Sequence, residues 1–162
     1  MRKIFAEELY KQMQTNQDIW LIVGDLGYGL FDKIRDDFSD RFINVGAAET
    51  SLIGLACGLA LEGKIPFCYS ITPFLLYRPF ETIKLYIDGE KLNVKLIGSG
   101  RNKDYHIDGP SHDASDVYKL FDVLDPILPN IHPYFPVDEG DIPWIVDKMC
   151  KSGQPEFLSL KR

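Results

Sequence analysis

The run from Thr50 to Leu61 (Thr-Ser-Leu-Ile-Gly-Leu-Ala-Cys-Gly-Leu-Ala-Leu) carries no charge and no proline. It reads as a helix over 50–61 that is apolar on every side, and such a helix is buried. Gly54, Ala56, Gly58 and Ala60 keep its surface low enough for other backbones to come close. A glycine weakens a helix by about 1 kcal/mol relative to alanine, so two of them point to close packing. One carboxylate, Glu49, stands just before this helix, and the short apolar run Phe42-Ile43-Asn44-Val45 leads up to it. A carboxylate in that position either caps the free N–H groups of the helix or serves as a catalytic acid in a dry pocket.

The chain has 162 residues, the size of one domain, and 45% of them are hydrophobic, enough for a core. A net charge of −6 argues against nucleic acid or an anionic membrane as a partner. Cys57, Cys68 and Cys150 follow no metal-binding spacing, and the first two lie in apolar runs as small core residues. That usage fits a reducing cytoplasm. The opening Met1-Arg2-Lys3 is not followed by a leader-like apolar segment. No run approaches the roughly 20 residues of a membrane span.

Ile4, Phe5, Leu9 and Met13 place one apolar face on a helix over 2–15. Residues 20–23 read as a strand buried on both faces, followed by a glycine-rich turn over 24–29. A short amphipathic helix over 31–38 precedes the strand over 42–45. Beyond the central helix come a strand over 65–70 and a helix that starts at Thr72-Pro73 and runs to about 87, kinked or restarted at Pro79. A strand over 93–98, a polar loop over 99–113, a helix over 114–124, a strand over 131–135, a helix over 141–150 and a strand over 156–160 complete the chain. Alternating strands and helices predict an α/β fold: a doubly wound, mostly parallel sheet with helices on both faces, formed by residues 1–162 as one domain. Ligands in such folds bind at the carboxyl ends of the strands. The glycine turn, Glu49 (expected at the end of a central strand), the 72–77 region and the long loop all fall there.

The segment Phe42-Ile43-Asn44-Val45-Gly46-Ala47-Ala48-Glu49, and then Gly58-Leu59-Ala60-Leu61-Glu62-Gly63-Lys64-Ile65-Pro66-Phe67, resembles the central motif of the transketolase family. The resemblance is to the family's pyrimidine-binding domain, which grips the aminopyrimidine of thiamine diphosphate. It implies that Glu49 hydrogen-bonds N1′ of that ring and favours the imino tautomer, in which the coenzyme's 4′-nitrogen acts as base. Arg78-Pro79-Phe80-Glu81 resembles the end of the ring-stacking segment and sets its register. Phe74 then matches the main stacking aromatic, Tyr77 matches a position that is often aromatic, and Ile71 stands where the family usually has phenylalanine. Phe74 as ordinary core is the alternative. Asp25 matches an aspartate at the family's cofactor and subunit interface.

Asp108-Gly109-Pro110-Ser111-His112 resembles the family's Asp-Gly-Pro-Thr-His, which implies hydrogen bonding to donor-sugar hydroxyls by Asp108 and proton transfer or oxyanion contact by His112. His106 matches no family ligand, and His132 reads as structural. Arg2 and Arg162 match two arginines that hold the substrate's phosphate, with solvated surface charge as the alternative. Two further phosphate ligands of the family align near Gly29 and Gly100, and the loop 101–105 replaces a small glycine-rich segment with charged bulk. The resemblance therefore implies an atypical sugar acceptor, such as a nucleotide-linked or otherwise modified one.

The family holds the coenzyme's diphosphate through Mg²⁺ with Gly-Asp-Gly and a later Asn. Gly24-Asp25-Leu26 and Gly140-Asp141-Ile142 are the Gly-Asp pairs here, and neither continues that way. The metal is thus expected on a partner chain, and the enzyme is expected to be split, with two copies of each subunit acting on sugars or sugar phosphates. A β-type subunit of a 2-oxo acid dehydrogenase, a deoxyxylulose-phosphate synthase relative and a catalytically silent scaffold subunit are the competing readings.

Overall fold

Residues alternate in direction along each strand, and this sorts the apolar side chains of the sheet into two cores. Leu21, Val23, Phe67, Tyr69, Ile97 and Leu158 face one side, while Ile22, Cys68, Leu96 and Phe157 face the other. The computed structural model describes residues 1–122, 124 and 126–162. Its strands are β1 (Ile19–Val23), β2 (Phe42–Asn44), β3 (Ile65–Ile71), β4 (Lys95–Ser99), β5 (His132–Tyr134) and β6 (Glu156–Leu160). They form one six-stranded sheet in the order β2-β1-β3-β4-β6-β5. Every neighbouring pair is parallel, so the expected α/β architecture is observed.

Helices α1 (Arg2–Thr15) and α6 (Ile142–Lys151) cover the first face, with the short α2 (Asp32–Asp37) beside them. The other face carries α3 (Glu49–Leu61) and α4 (Thr72–Tyr77), followed by a helical segment over 80–88. Pro79 lacks an N–H, so α4 ends before it. The chain restarts as α5 (Phe80–Thr82) and widens into a π-helix, Ile83–Asp88. That π-turn aims the buried Asp88 at the N–H groups of Asn130 (2.8 Å) and Ile131 (3.2 Å), pinning the approach to β5.

Three expectations need correction. The helix α3 is not buried all round. Glu49, Leu52, Ile53, Ala56 and Cys57 face the sheet, but Gly54 and Gly58 are exposed and Leu61 is 73% exposed. One sheet covers one side of a helix, and a Cβ added at Gly54 or Gly58 would meet nothing within 4 Å. The helix expected over 114–124 is a 3-10 turn over Val117–Phe121, and position 123 lies outside the described residues. Its start is held extended instead, because Ala114 bonds Asn102 O (2.8 Å) and Asp113 accepts the Ser115 N–H (2.8 Å). Finally, β2 lies at the edge of the sheet rather than at its centre. Only the position of Glu49 over β1 and β3, described below, is central.

Cys57 and Cys68 are buried as expected, and so is Cys150. Burial pushes the Cys57 thiol up to about 11 and that of Cys150 to about 12. At the amino end of the sheet the side chains of Lys95 and Glu156, paired across β4 and β6, are 0% and 2% exposed. Lys95 Nζ donates to Glu156 Oε2 (2.7 Å), Gln154 O (2.6 Å) and Ser152 Oγ (2.9 Å), while Tyr134 donates to Glu156 Oε1 (2.8 Å). Every proton of the ammonium is used. Lys95→Met strands a buried carboxylate and is expected to lower the free energy of unfolding in urea by about 3–5 kcal/mol. Lys95→Met with Glu156→Leu should recover most of that loss.

Candidate functional site

The carboxyl ends of the strands bring together the turn after β1, Glu49 after β2, α4 after β3, the loop after β4 and Arg162 after β6. Glu49 opens α3 and is 2% exposed. Its carboxylate does not cap the helix. Oε1 accepts from Ser70 Oγ at the end of β3 (2.9 Å), and Oε2 accepts from Arg78 Nη1 (2.7 Å). A carboxylate out of water without such donors costs several kcal/mol. Gly24, just past β1, leaves the room these groups need. A Cβ there would sit 3.1 Å from Ser70 Oγ and 3.4 Å from Glu49 Oε1.

The Arg78 guanidinium lies over Phe74, with Cζ 3.7 Å from the ring centroid. The Phe74 ring in turn meets the edge of His112, with centroids 4.7 Å apart. Glu49, Phe74 and His112 are therefore joined through Arg78 in one place. Between the carboxylate and the aromatic face is a slot that accepts a flat group with in-plane N–H donors, because the guanidinium is such a group. This arrangement can bind a planar nitrogen heterocycle by stacking and a charge-assisted hydrogen bond.

The other candidates fall around this slot. The Tyr77 hydroxyl donates to Asp116 Oδ1 (2.7 Å), and burial together with Asp116 raises the phenol's pKa. Ile71 ends β3 and lines, with Arg2, Tyr28, Tyr69, Tyr105 and Arg162, a groove of about 1020 Å³. Asp25 is exposed, takes a left-handed conformation (φ 56°) and accepts from the Tyr28 hydroxyl. Asp108 is exposed at the end of a 3-10 turn, and His112 Nδ1 lies 3.1 Å from Ser111 Oγ. No bond joins Asp108 to His112 among the described residues.

Arg2 and Arg162, from opposite ends of the chain, meet at Tyr105. Arg2 Nη1 donates to Tyr105 Oη (3.0 Å), and Arg162 Cζ is 5.2 Å from the ring centroid. Tyr105 Oη is 3.0 Å from Ser99 Oγ, to which Tyr69 also donates (3.1 Å). A Cβ at Gly100 (φ 86°) would run into the Tyr105 ring. The loop 101–105 is thus folded back over the sheet, with Arg101 bonded to Pro136 O (2.8 Å) and to Ser159.

Ser70, Arg78 and Tyr105 are functional candidates that the residue pattern alone does not single out. Arg78 enters that pattern only as the marker that sets the register of its segment. A signal is there all the same, since it is the lone charge in the otherwise uncharged stretch 65–80. Removing the Ser70 hydroxyl leaves one oxygen of a buried carboxylate without a donor. Ser70→Ala is expected to lower the free energy of unfolding by about 1–3 kcal/mol, read by chemical denaturation.

Comparison with known proteins places this geometry in context. A family model described as the transketolase pyrimidine-binding domain matches residues 1–161. A 6-deoxy-6-sulfo-D-fructose transketolase subunit of Clostridium sp. (strain MSTE9) is 27% identical over 100% of this chain and 49% of its own. An apulose-4-phosphate transketolase subunit from Actinobacillus succinogenes is 40% identical over 72% of this chain and 38% of its own. Among solved structures, a split-gene transketolase described as an inactive beta4 tetramer superposes with a TM-score of 0.84 at 32% identity, covering 99% of this chain and 51% of its own. The chain thus spans about half the length of these relatives or less.

Proposed function

This chain belongs to the transketolase pyrimidine-binding domain family, and from that premise we propose that it is the pyrimidine-binding subunit of a split, thiamine diphosphate-dependent transketolase-like enzyme. The reaction is transfer of a two-carbon ketol unit between sugars. The observation that carries this reading is the slot between Glu49 and Phe74, shaped and polarised for a flat, N–H-bearing ring. An aminopyrimidine has that shape, and with a proton on N1′, as in the imino tautomer, it presents an N–H to the carboxylate, so the residues present fit the coenzyme. When bound, thiamine diphosphate supplies the nucleophilic carbon on which a ketol unit can be carried.

The chain's own residues contribute binding, orientation and proton placement. Glu49 holds the ring's N1′, with Ser70 fixing its other oxygen. Phe74 stacks on the ring, Ile71 and Tyr77 add apolar walls, and Asp25 stands at the cofactor and subunit boundary. His112, held against Phe74, carries or takes a proton at its imidazole, and Asp108 bonds sugar hydroxyls. Arg2 and Arg162 bind the anionic end of a substrate. Tyr105 occupies the space above Gly100 and holds Arg2, which supports an acceptor other than an ordinary sugar phosphate.

Residues 1–162 act as one pyrimidine-binding unit, with Mg²⁺ and the diphosphate held by a second subunit and two copies of each chain in the enzyme. The relatives named as subunits support a partner, and the neighbour described as an inactive beta4 tetramer supports inactivity without it. The cysteine usage supports the cytoplasm as the compartment, and no helix among the described residues is long and apolar enough to cross a membrane.

Two experiments test this reading. Glu49→Gln should leave the fold intact and slow exchange of the coenzyme's C2 proton in the assembled enzyme by at least about 100-fold, the lower range of general acid–base contributions. Near-normal exchange removes Glu49 from the role. By calorimetry and size-exclusion, the chain by itself should bind thiamine diphosphate weakly or not at all, because stacking and one hydrogen bond do not offset the loss of freedom on binding. Mixed with a chain carrying the Gly-Asp-Gly…Asn motif, it should form a two-plus-two complex and become active. Tight, Mg²⁺-dependent binding by this chain without a partner contradicts the split site.

A further inference from the structure

Arg78 stands where a ring is expected. Its guanidinium covers Phe74 at 3.7 Å and donates to Glu49 Oε2 at 2.7 Å. These are the two contacts, stacking and a hydrogen bond to the carboxylate, that the proposed function gives to the aminopyrimidine. A guanidinium and an aminopyrimidine are alike in the features that matter here. Both are planar, both have a delocalised π system, and the pyrimidine with a proton on N1′ presents an in-plane N–H as the guanidinium does. One slot between one aromatic face and one carboxylate holds one of them at a time.

We infer that Arg78 is a placeholder for the coenzyme's ring: it fills the slot and keeps Glu49 oriented until a pyrimidine enters, and then it swings out. The inference rests on the reading of the slot as a pyrimidine site. Three observations favour it. The Arg78 side chain is 46% exposed, so it has solvent to move into, whereas Glu49 is 2% exposed and has nowhere to go. The Arg78 guanidinium is held by Glu49 and Phe74, two side chains, rather than by a backbone group. It also sits between the end of α4 at Tyr77 and Pro79, where the helix is already interrupted.

The physical consequence is competition within the molecule. A ring entering the slot must displace one cation–π contact and one ion pair in which the arginine is 46% and the carboxylate 2% exposed. The ring then takes over as donor to the carboxylate, so that only the contacts of Arg78 are lost. Together such contacts amount to roughly a factor of ten in a binding constant. In return, the slot does not collapse and the buried carboxylate is never left with Ser70 as its only donor. Arg78 is accordingly a positioning residue acting through Glu49.

The test uses the full chain and a probe without the diphosphate, so that neither metal nor partner is needed: 4-amino-5-hydroxymethyl-2-methylpyrimidine, titrated by NMR. Arg78→Ala is expected to bind it about tenfold more tightly than the wild-type chain. Arg78→Lys should lie between, since an ammonium can pair with Glu49 but cannot lie flat on Phe74. Adding Glu49→Ala to Arg78→Ala should abolish the gain. Equal or weaker binding by Arg78→Ala overturns the placeholder while leaving the pyrimidine site standing. No binding by Arg78→Ala at millimolar probe, in a chain shown by circular dichroism to be folded, overturns the placeholder, while the pyrimidine site is judged by the Glu49→Gln exchange in the assembled enzyme. A second readout needs no variant. In the wild-type chain the Arg78 Hε proton, on the guanidinium whose Cζ lies 3.7 Å over the Phe74 ring, should resonate upfield and return toward its usual position as the pyrimidine saturates. A resonance that does not move overturns the inference.

Discussion

A carboxylate that has left water must find donors, and the arrangement of the carboxyl edge of this sheet follows from that demand at Glu49. The residue is 2% exposed, and its oxygens are satisfied by Ser70 at the end of β3 and Arg78 beyond α4. Gly24 has no side chain because the pair occupies the space above it. Phe74 is in place because Arg78, to reach Glu49, lies along its face. The segments after β1, β2 and β3 are thus fixed relative to one another by one charge. The low polarity that makes the charge expensive also strengthens any hydrogen bond it makes.

The two ends of the sheet solve the same problem differently. At the amino end, Lys95 and Glu156 are both buried, and every donor of the ammonium has an acceptor within the chain. That cluster is closed on itself. At the carboxyl end one partner of the buried acid is a half-exposed arginine on an interrupted helix. A closed network suits stability, and a network with one removable member suits binding. The groove beside it, with Arg2 and Arg162 drawn to Tyr105, continues along the same edge.

Much of this is legible in the residues alone. The buried strands appear as continuous apolar runs, and Glu49, Phe74 and His112, which the family resemblance marks out, lie after β2, after β3 and in the loop after β4. The strand β4 begins two residues later than the pattern suggests because Val94 N bonds Leu92 O (2.7 Å) and spends the first residues on a turn. What is not legible depends on contacts far apart in the chain. Arg78 reaches back 29 positions to Glu49, and Tyr105 reaches back 103 to Arg2. Neither spacing leaves a local signature. The misjudged burial of α3 has another cause. An apolar helix is covered by whatever surrounds it, and composition does not say whether that cover belongs to the same chain. Gly54 and Gly58 face open space here, which their cost to the helix would not lead one to expect.

Whether Glu49 and Phe74 enclose a pyrimidine ring is open to direct observation. The most direct measurement is a cryo-electron microscopy map of the two-subunit enzyme with thiamine diphosphate, at a resolution that shows ring planes. Ring density is expected parallel to Phe74, with N1′ at hydrogen-bonding distance from the Glu49 carboxylate. A coenzyme bound with its ring elsewhere, and Glu49 still paired with Arg78 and Ser70, would contradict it.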